Sequence, residues 1–422
     1  MGATLAPMRA SRRTWVAYCA AALVWQSCGQ QTTLPSEASF SAEREQVLAL
    51  GDLEQAPATF PAEGFVAEQG LRAIFFEALP WRGRPTRVFA WLGTPEGSQG
   101  QVPGIVLVHG GGGTAFKEWV KQWTDRGYAA LAIAVEGQTD QAEERPPGER
   151  RSWERHAWAG PARDQIYADS SEPLEDQWMY HAVADTVLAN SLLRSLPEVD
   201  PQKVGLAGIS WGGVITSTVI GIDPRFAFAI PIYGCGHQFD SANQWGEALG
   251  ENRLYREVWD PMVRMYRVDT PTLWLSWPGD GHFPLDSQAA CYRAAPGPRM
   301  VSLIPGMKHG HAAGWNPPDS YAFADSIVES GRPWLQQTGV DRTDETVRVS
   351  LRSVKPLDRA TLIWTQDLGF TGNRKWTKSP ANLLRENDNW LVNAPLPAGT
   401  TAWFVNVGSG DLTASSDFQE IE

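Results

Sequence analysis

The stretch Gly208-Ile209-Ser210-Trp211-Gly212-Gly213 decides how this chain is read. It follows a short apolar run, residues 204–208, and opens a segment of small and β-branched residues, Val214-Ile215-Thr216-Ser217. The pattern is G-x-S-x-G between a strand and a helix. A serine on so sharp a strand-to-helix turn lifts its hydroxyl above the sheet, and the flanking glycines are needed where a side chain would clash. A bare G-x-S-x-G occurs by chance. In this setting it points to Ser210 as a nucleophile rather than an ordinary turn serine.

About a hundred residues upstream, His109-Gly110-Gly111-Gly112-Gly113-Thr114 closes the apolar run Ile105-Val106-Leu107-Val108. Successive glycines let backbone N–H groups face a cleft, where Gly110, Gly111 and Gly112 could hold an oxyanion together with the N–H of Trp211. The competing reading is a phosphate-binding loop, but no G-K-[ST] and no G-x-G-x-x-G with an acidic partner accompanies it. A serine also needs a base, and the base an orienting carboxylate. The run at residues 272–276 leads into Trp277-Pro278-Gly279-Asp280-Gly281-His282, which makes Asp280 the leading acid. Asp286 is better placed to cap the next helix. The run at residues 300–304 leads into Pro305-Gly306-Met307-Lys308-His309-Gly310-His311, so His309 is the leading base and His311 the substitute. His282 and His181 read as structural. The order Ser210, Asp280, His309 matches one known triad order.

Outward from these motifs, apolar runs at residues 102–109, 129–135, 204–210, 226–232, 272–276 and 300–304 alternate with helical periods. Such runs read as strands buried on both faces, and the alternation implies a mostly parallel sheet. Residues 71–79 and 87–91 read as an antiparallel pair. The connection at residues 136–173 is too long for a plain loop and leaves the sheet at its ligand-binding edge; it carries Trp153 and Trp158, the expected substrate-binding aromatics. After about Gly339 the pattern turns to alternating runs without helices, which predicts a sandwich-like β-domain.

From about residue 71 to 334 the chain resembles the α/β-hydrolase superfamily, in the branch of acetyl xylan esterases, cephalosporin deacetylases and dienelactone hydrolases. The resemblance rests on the His109 glycine run, Gly208 to Gly212, Gly279-Asp280 and His309. Ser210 departs from the dienelactone hydrolases, whose nucleophile is usually cysteine. The Trp153 to Trp158 segment and Gln177-Trp178-Met179-Tyr180-His181 also resemble exported esterase-like hydrolases with a C-terminal β-domain. The resemblance implies an α/β-hydrolase fold, an eight-stranded mostly parallel sheet flanked by helices, and ester hydrolysis without a metal or organic cofactor. It does not fix the ester.

Composition agrees with a packed, non-nucleic-acid-binding protein. Among 422 residues, 42% are hydrophobic and 20% charged, enough for a large core. The net charge of −12 disfavours phosphate backbones as partners. Arg9, Arg12 and Arg13 precede a short apolar run and the small residues Ser27, Cys28 and Gly29, the pattern of an export signal, with a twin-arginine-like stretch at Ser11 to Val16. Cys28 could be a lipid anchor, although Trp25 stands where such signals usually carry Leu. The expected divisions are an export signal at 1–29, a linker at 30–60, a hydrolase domain at 61–339 and a β-domain at 340–422, the last as a packed appendage outside the catalytic machinery. Cys235 and Cys291 could pair or stay as buried thiols.

Three readings compete. The first is an exported serine esterase that deacetylates carbohydrate. The second is a serine peptidase of the prolyl oligopeptidase kind, which normally carries a large N-terminal propeller that the spacing here leaves no room for. The third is a carbohydrate-binding protein on a hydrolase scaffold, which leaves the ordered Ser, Asp, His and glycine run unexplained. The first accounts for most.

Overall fold

The computed structural model describes residues 40–67, 70–146, 152–387 and 389–421. The expected export signal and Cys28 lie outside the described residues.

The central sheet is built from β1 (Leu71–Trp81), β2 (Arg84–Gly93), β3 (Val102–Val108), β4 (Ala129–Ile133), β5 (Val199–Ile209), β6 (Phe228–Ile232), β7 (Thr272–Ser276) and β8 (Arg299–Leu303). Their spatial order is β1-β2-β4-β3-β5-β6-β7-β8. The pairs from β4 to β8 are all parallel, while β1 and β2 run antiparallel at one end. This is the expected eight-stranded α/β-hydrolase sheet. The β1–β2 turn is Arg82-Gly83, both at positive φ, the backbone a two-residue hairpin demands.

Strands β4, β6 and β7 are buried at every position, because helices cover both faces. The helices are α1 (Lys117–Thr124), α2 (Trp178–Ser195), α3 (Trp211–Val219), α4 (Leu285–Ala294) and α5 (Asp319–Ser330). Helix α1 docks on α5: the rings of Trp123 and Tyr321 are 4.6 Å apart and the Tyr321 hydroxyl donates to Gln122. Helix α2 packs against α3 and the middle of the sheet.

Two expectations need correction. The supposed linker carries structure from residue 41 onward. Helix Ser41–Leu48 buries Val47, Leu50 follows it into the core, and strand Thr59–Pro61 pairs with β1. Its polar composition hid the two buried residues, Val47 and Leu50, which make a single helical step and are too few to show a sustained period.

The C-terminal region also joins the central sheet instead of standing apart as a sandwich. Two antiparallel assemblies form there. One is β9 (Leu335–Arg342), β10 (Thr346–Ser353), β13 (Asn382–Glu386) and β14 (Asn389–Pro395), ordered β9-β10-β14-β13. The other is β11 (Arg359–Thr365), β12 (Thr377–Pro380), β15 (Ala402–Ser409) and β16 (Leu412–Ser415). This second set extends the hydrolase sheet, because β16 bridges β8 at Val301 and Ser415. Side chains seal the seam. Leu303 N–H donates to Ser415 Oγ at 2.8 Å, Thr413 N–H to Asp319 Oδ1 at 2.7 Å, and Arg299 pairs with Asp417 at 2.7 Å. One hydrophobic cluster runs through both parts.

Candidate active site

Ser210 stands between the end of β5 and the first turn of α3, at φ 59° and ψ −114°. That conformation costs a non-glycine residue of order 1–3 kcal/mol and persists only where the surroundings enforce it. They do so here. The Ser210 N–H donates to Ile232 O at 2.9 Å, and its carbonyl accepts from Val214 N–H at 3.0 Å. A Cβ at Gly208 would lie 2.0 Å from Gly212 O, and one at Gly212 would lie 2.1 Å from Val108 O. Only glycines let the turn pass this close to neighbouring backbone.

His309 and Asp280 reach Ser210 from loops beyond β8 and β7. His309 Nε2 is 2.9 Å from Ser210 Oγ, and His309 Nδ1 is 2.9 Å from Asp280 Oδ2. An ionised carboxylate can only accept, so Nδ1 carries the proton and Nε2 is left to accept from the serine hydroxyl. Asp280 is buried, and its Oδ1 accepts the N–H groups of His282 and Phe283 at 2.8 and 2.9 Å. The Tyr233 ring lies 4.5 Å from that of His309 and its hydroxyl donates to Lys308 O at 2.8 Å, fixing both the imidazole and its loop. Burial pushes the Tyr233 hydroxyl well above the usual phenol range, so it remains a donor.

The glycine run is held by two histidines. His109 Nε2 accepts the N–H of Val135 at 3.1 Å, so its Nδ1 bears the proton and donates to Gly110 O at 2.7 Å. Burial lowers its pKa to about 4, which keeps this tautomer neutral. Gln138 joins the same cluster and donates to Gly113 O at 2.9 Å. His311 Nε2 accepts the Gly110 N–H at 3.0 Å. This revises two expectations. Gly110 is an anchor rather than a free oxyanion donor, and His311 positions the glycine loop rather than replacing His309. The N–H groups of Gly111 and Trp211 have no protein acceptor among the described residues. Gly111 lies against Trp211: a Cβ there would come 3.0 Å from the indole Cδ1. Gly112 is fixed through its carbonyl, which accepts from Trp153 Nε1 at 3.0 Å.

The long connection walls this site with residues that carried no sequence signal. Arg163 bonds Glu136 at 3.2 Å and places its guanidinium 5.0 Å from the Trp211 ring. Burial pushes the Glu136 carboxyl up while Arg163 draws it down. Tyr167 of the connection, together with Trp178 of α2 and Trp245 from beyond β6, crowds the Trp211 ring at 5.6, 5.3 and 4.5 Å. Trp153 reaches the glycine loop, but Trp158 does not. Its ring lies 4.3 Å from the Arg87 guanidinium, and its carbonyl accepts the Arg87 N–H, on β2. Strand β2 is three strands from β5, about 14 Å at normal spacing.

Asp286 also differs from expectation. It does not cap α4; Thr371 of the C-terminal region does, accepting Leu285 N–H at 3.0 Å and donating to Asp286 at 2.9 Å. The neighbouring Gly372 sits so near the acid loop that a Cβ would lie 2.4 Å from Asp280 O. Cys235 and Cys291 are buried free thiols, and the Gly236 N–H donates to Cys291 Sγ at 3.1 Å. His282 lies beside His309 at 4.8 Å, while His181 is tied to Glu175 O away from the triad. Among the described residues no group of His, Cys, Asp or Glu is arranged to hold a metal ion, and no helix is long and apolar enough to cross a membrane.

Residues 74–264 match the family model described as acetyl xylan esterase (AXE1). The match spans Ser210 and stops before Asp280 and His309. No curated protein matches the sequence. Among solved structures, an acetyl xylan esterase from Paenibacillus sp. R4 is 21% identical, covering 66% of this chain and 91% of its own, with a TM-score of 0.49. Acetyl xylan esterase 1 from Thermoanaerobacterium is 17% identical, covering 64% and 88%, with a TM-score of 0.50. A puromycin-hydrolysing peptidase from Mycobacterium tuberculosis is 20% identical, covering 64% of this chain and 41% of its own, at 0.47.

Proposed function

We propose that this α/β-hydrolase, a carboxylic-ester hydrolase resembling the acetyl xylan esterases, removes acetyl groups from carbohydrate through an acyl-enzyme on Ser210. One observation carries the reading: the hydrogen-bonded line Ser210 Oγ to His309 to Asp280, with 2.9 Å at each step, on a strained turn.

The chemistry follows from the geometry. His309 takes the Ser210 proton while Asp280 holds the imidazole and stabilises its charged form. The serine oxygen attacks the ester carbonyl. Negative charge on the carbonyl oxygen falls to the N–H groups of Gly111 and Trp211, with Gly112 beside them. His309 then protonates the departing alcohol, and a water repeats the sequence to free the acid. Trp211 is packed on three sides by aromatics, which supports a short acyl group over a long one. The basic and apolar pattern of residues 9–29 supports action outside the cytoplasm, with Cys28 the candidate for lipid attachment.

Acetate release from acetylated xylan, with 4-nitrophenyl acetate, butyrate and octanoate as comparisons, tests the activity. A fluorophosphonate should label Ser210 alone. Preference for octanoate, or faster cleavage of peptide amides than of acetyl esters, would replace the reading. N-terminal sequencing of the mature protein tests export: a chain that keeps residues 1–29 in its host counts against it.

A further inference from the structure

We infer that the cleft on the far side of the glycine loop from Trp211 is the seat of the sugar chain that bears the ester, with Trp315 and Asp140 as specificity-determining residues. The inference rests on the esterase reading of Ser210 and gives its alcohol a place.

The cleft has a volume of about 500 Å³, within the range of small-ligand sites. Phe116, Trp153 and Trp315 line it together with Lys117, Glu118 and Asp140. All three aromatics are half-buried. They are neither sealed in the core nor scattered singly over the surface. Their rings pack edge to face: Phe116 lies 6.2 Å from Trp153 at 81° and 5.2 Å from Trp315 at 62°, while Trp315 stacks on buried Trp119 at 5.9 Å and 29°. Rings braced from behind offer a rigid face at little entropic cost. An aliphatic acyl chain would want such a wall with apolar company. Here the company is a lysine and two carboxylates, which serve hydroxyl groups. Asp140 is held in place by the Trp91 indole N–H, which donates to its Oδ2 at 2.8 Å. Apolar ring faces beside a carboxylate held in place match a pyranose, which presents C–H faces and a rim of hydroxyls.

Position supports the same occupant. Trp153 donates to Gly112 O, and the Phe116 ring lies 4.9 Å from that of His311, which holds Gly110. The cleft is therefore fastened to the oxyanion loop at two points. The Trp211 ring beside Ser210 is itself crowded by Tyr167, Trp178 and Trp245. A bulky alcohol has this cleft to enter, and binding there can be used to hold the acetyl group at Ser210.

The test separates binding from hydrolysis. Unacetylated xylohexaose is titrated into the whole protein, followed by tryptophan fluorescence and calorimetry, with wild type, Trp315→Phe, Trp315→Ala and Asp140→Asn. Trp315→Phe keeps a ring on Trp119 and guards against simple misfolding. We expect saturable binding to wild type, weakened about five- to tenfold in Trp315→Ala and Asp140→Asn, the loss that one aromatic contact or one hydrogen bond to a charged group carries. The ratio of kcat/KM on acetylated xylo-oligosaccharide to that on 4-nitrophenyl acetate should fall by the same factor, through KM. No xylohexaose binding, or equal binding and an unchanged ratio in all variants, overturns the inference. Binding that depends on Trp315 in a protein releasing no acetate would uphold the cleft and remove the esterase reading.

Discussion

His109 makes the stability of this protein depend on mild acid in a calculable way. Its imidazole is buried and neutral, with a pKa lowered from 6.5 to about 4 by burial. Above about pH 6.5 neither folded nor unfolded chain binds a proton here. Below it, the unfolded imidazole takes one that the folded site refuses until about pH 4. Stability from this group is thus present above pH 6.5 and is lost as pH falls toward 4. At about pH 5 the loss works out at about 2 kcal/mol, since each unit of difference is worth about 1.4 kcal/mol. Other groups titrate in the same range, so the comparison must cancel them. Urea unfolding of wild type and His109→Gln at about pH 8 and pH 5 gives four free energies. The drop between the two pH values should be about 2 kcal/mol smaller in the variant. Activity should follow, because a charged His109 can no longer accept the Val135 N–H that sets the tautomer holding Gly110. Equal drops in both proteins would refute the reasoning.

Ser210→Ala should keep the fold and lose activity by about 10³-fold or more, read as kcat on 4-nitrophenyl acetate. Asp280→Asn should cost on the order of 10⁴-fold in kcat by favouring the wrong His309 tautomer, whereas Asp286→Asn should change activity little; the reverse order would move the acid. Thr371→Val should destabilise by about 1–2 kcal/mol in thermal or urea melts, because it removes the cap of α4 and a partner of Asp286. A chain ending at Gly339 should fail to give soluble, active enzyme; good folding with full small-ester turnover would show that the seam at β8 is dispensable.

The parts of this structure legible in the sequence are those where backbone crowding or burial dictates residue type. The six inner runs of the hydrolase sheet read as strands because both faces are covered. Ser210 could be singled out because only glycine fits at 208 and 212. Asp280 and His309 followed from chain order after strands whose ends were clear. What stayed hidden depends on contacts between distant residues. Arg163 and Tyr167 meet Trp211 from an aperiodic connection. His311 differs from His309 by two positions, and nothing local tells which ring faces serine and which faces Gly110. Trp158 misled because an aromatic in the right loop carries no information about which strand the loop crosses. The C-terminal strands alternate like those of any small sandwich, and a single bridge from Ser415 to Val301 attaches them to the sheet. Only a stray polar pattern, Thr413 to Asp417 set against Arg299 and Asp319, could have hinted at it.

That bridge sets a clock on the newborn protein. Strand β8 pairs on one side with β7, synthesised shortly before it, and on the other with a strand made about 110 positions later. At ribosomal rates of about 5–20 residues per second, the open side of β8 waits roughly 6–20 s for its cover. An unpaired edge is a template for other chains. The same interval delays the enzyme's competence, since Thr371 and Gly372, which back the Asp280 loop, emerge only late. A nascent chain released early would carry Ser210, Asp280 and His309 and still lack the brace behind its acid, so truncated products should be both sticky and inert.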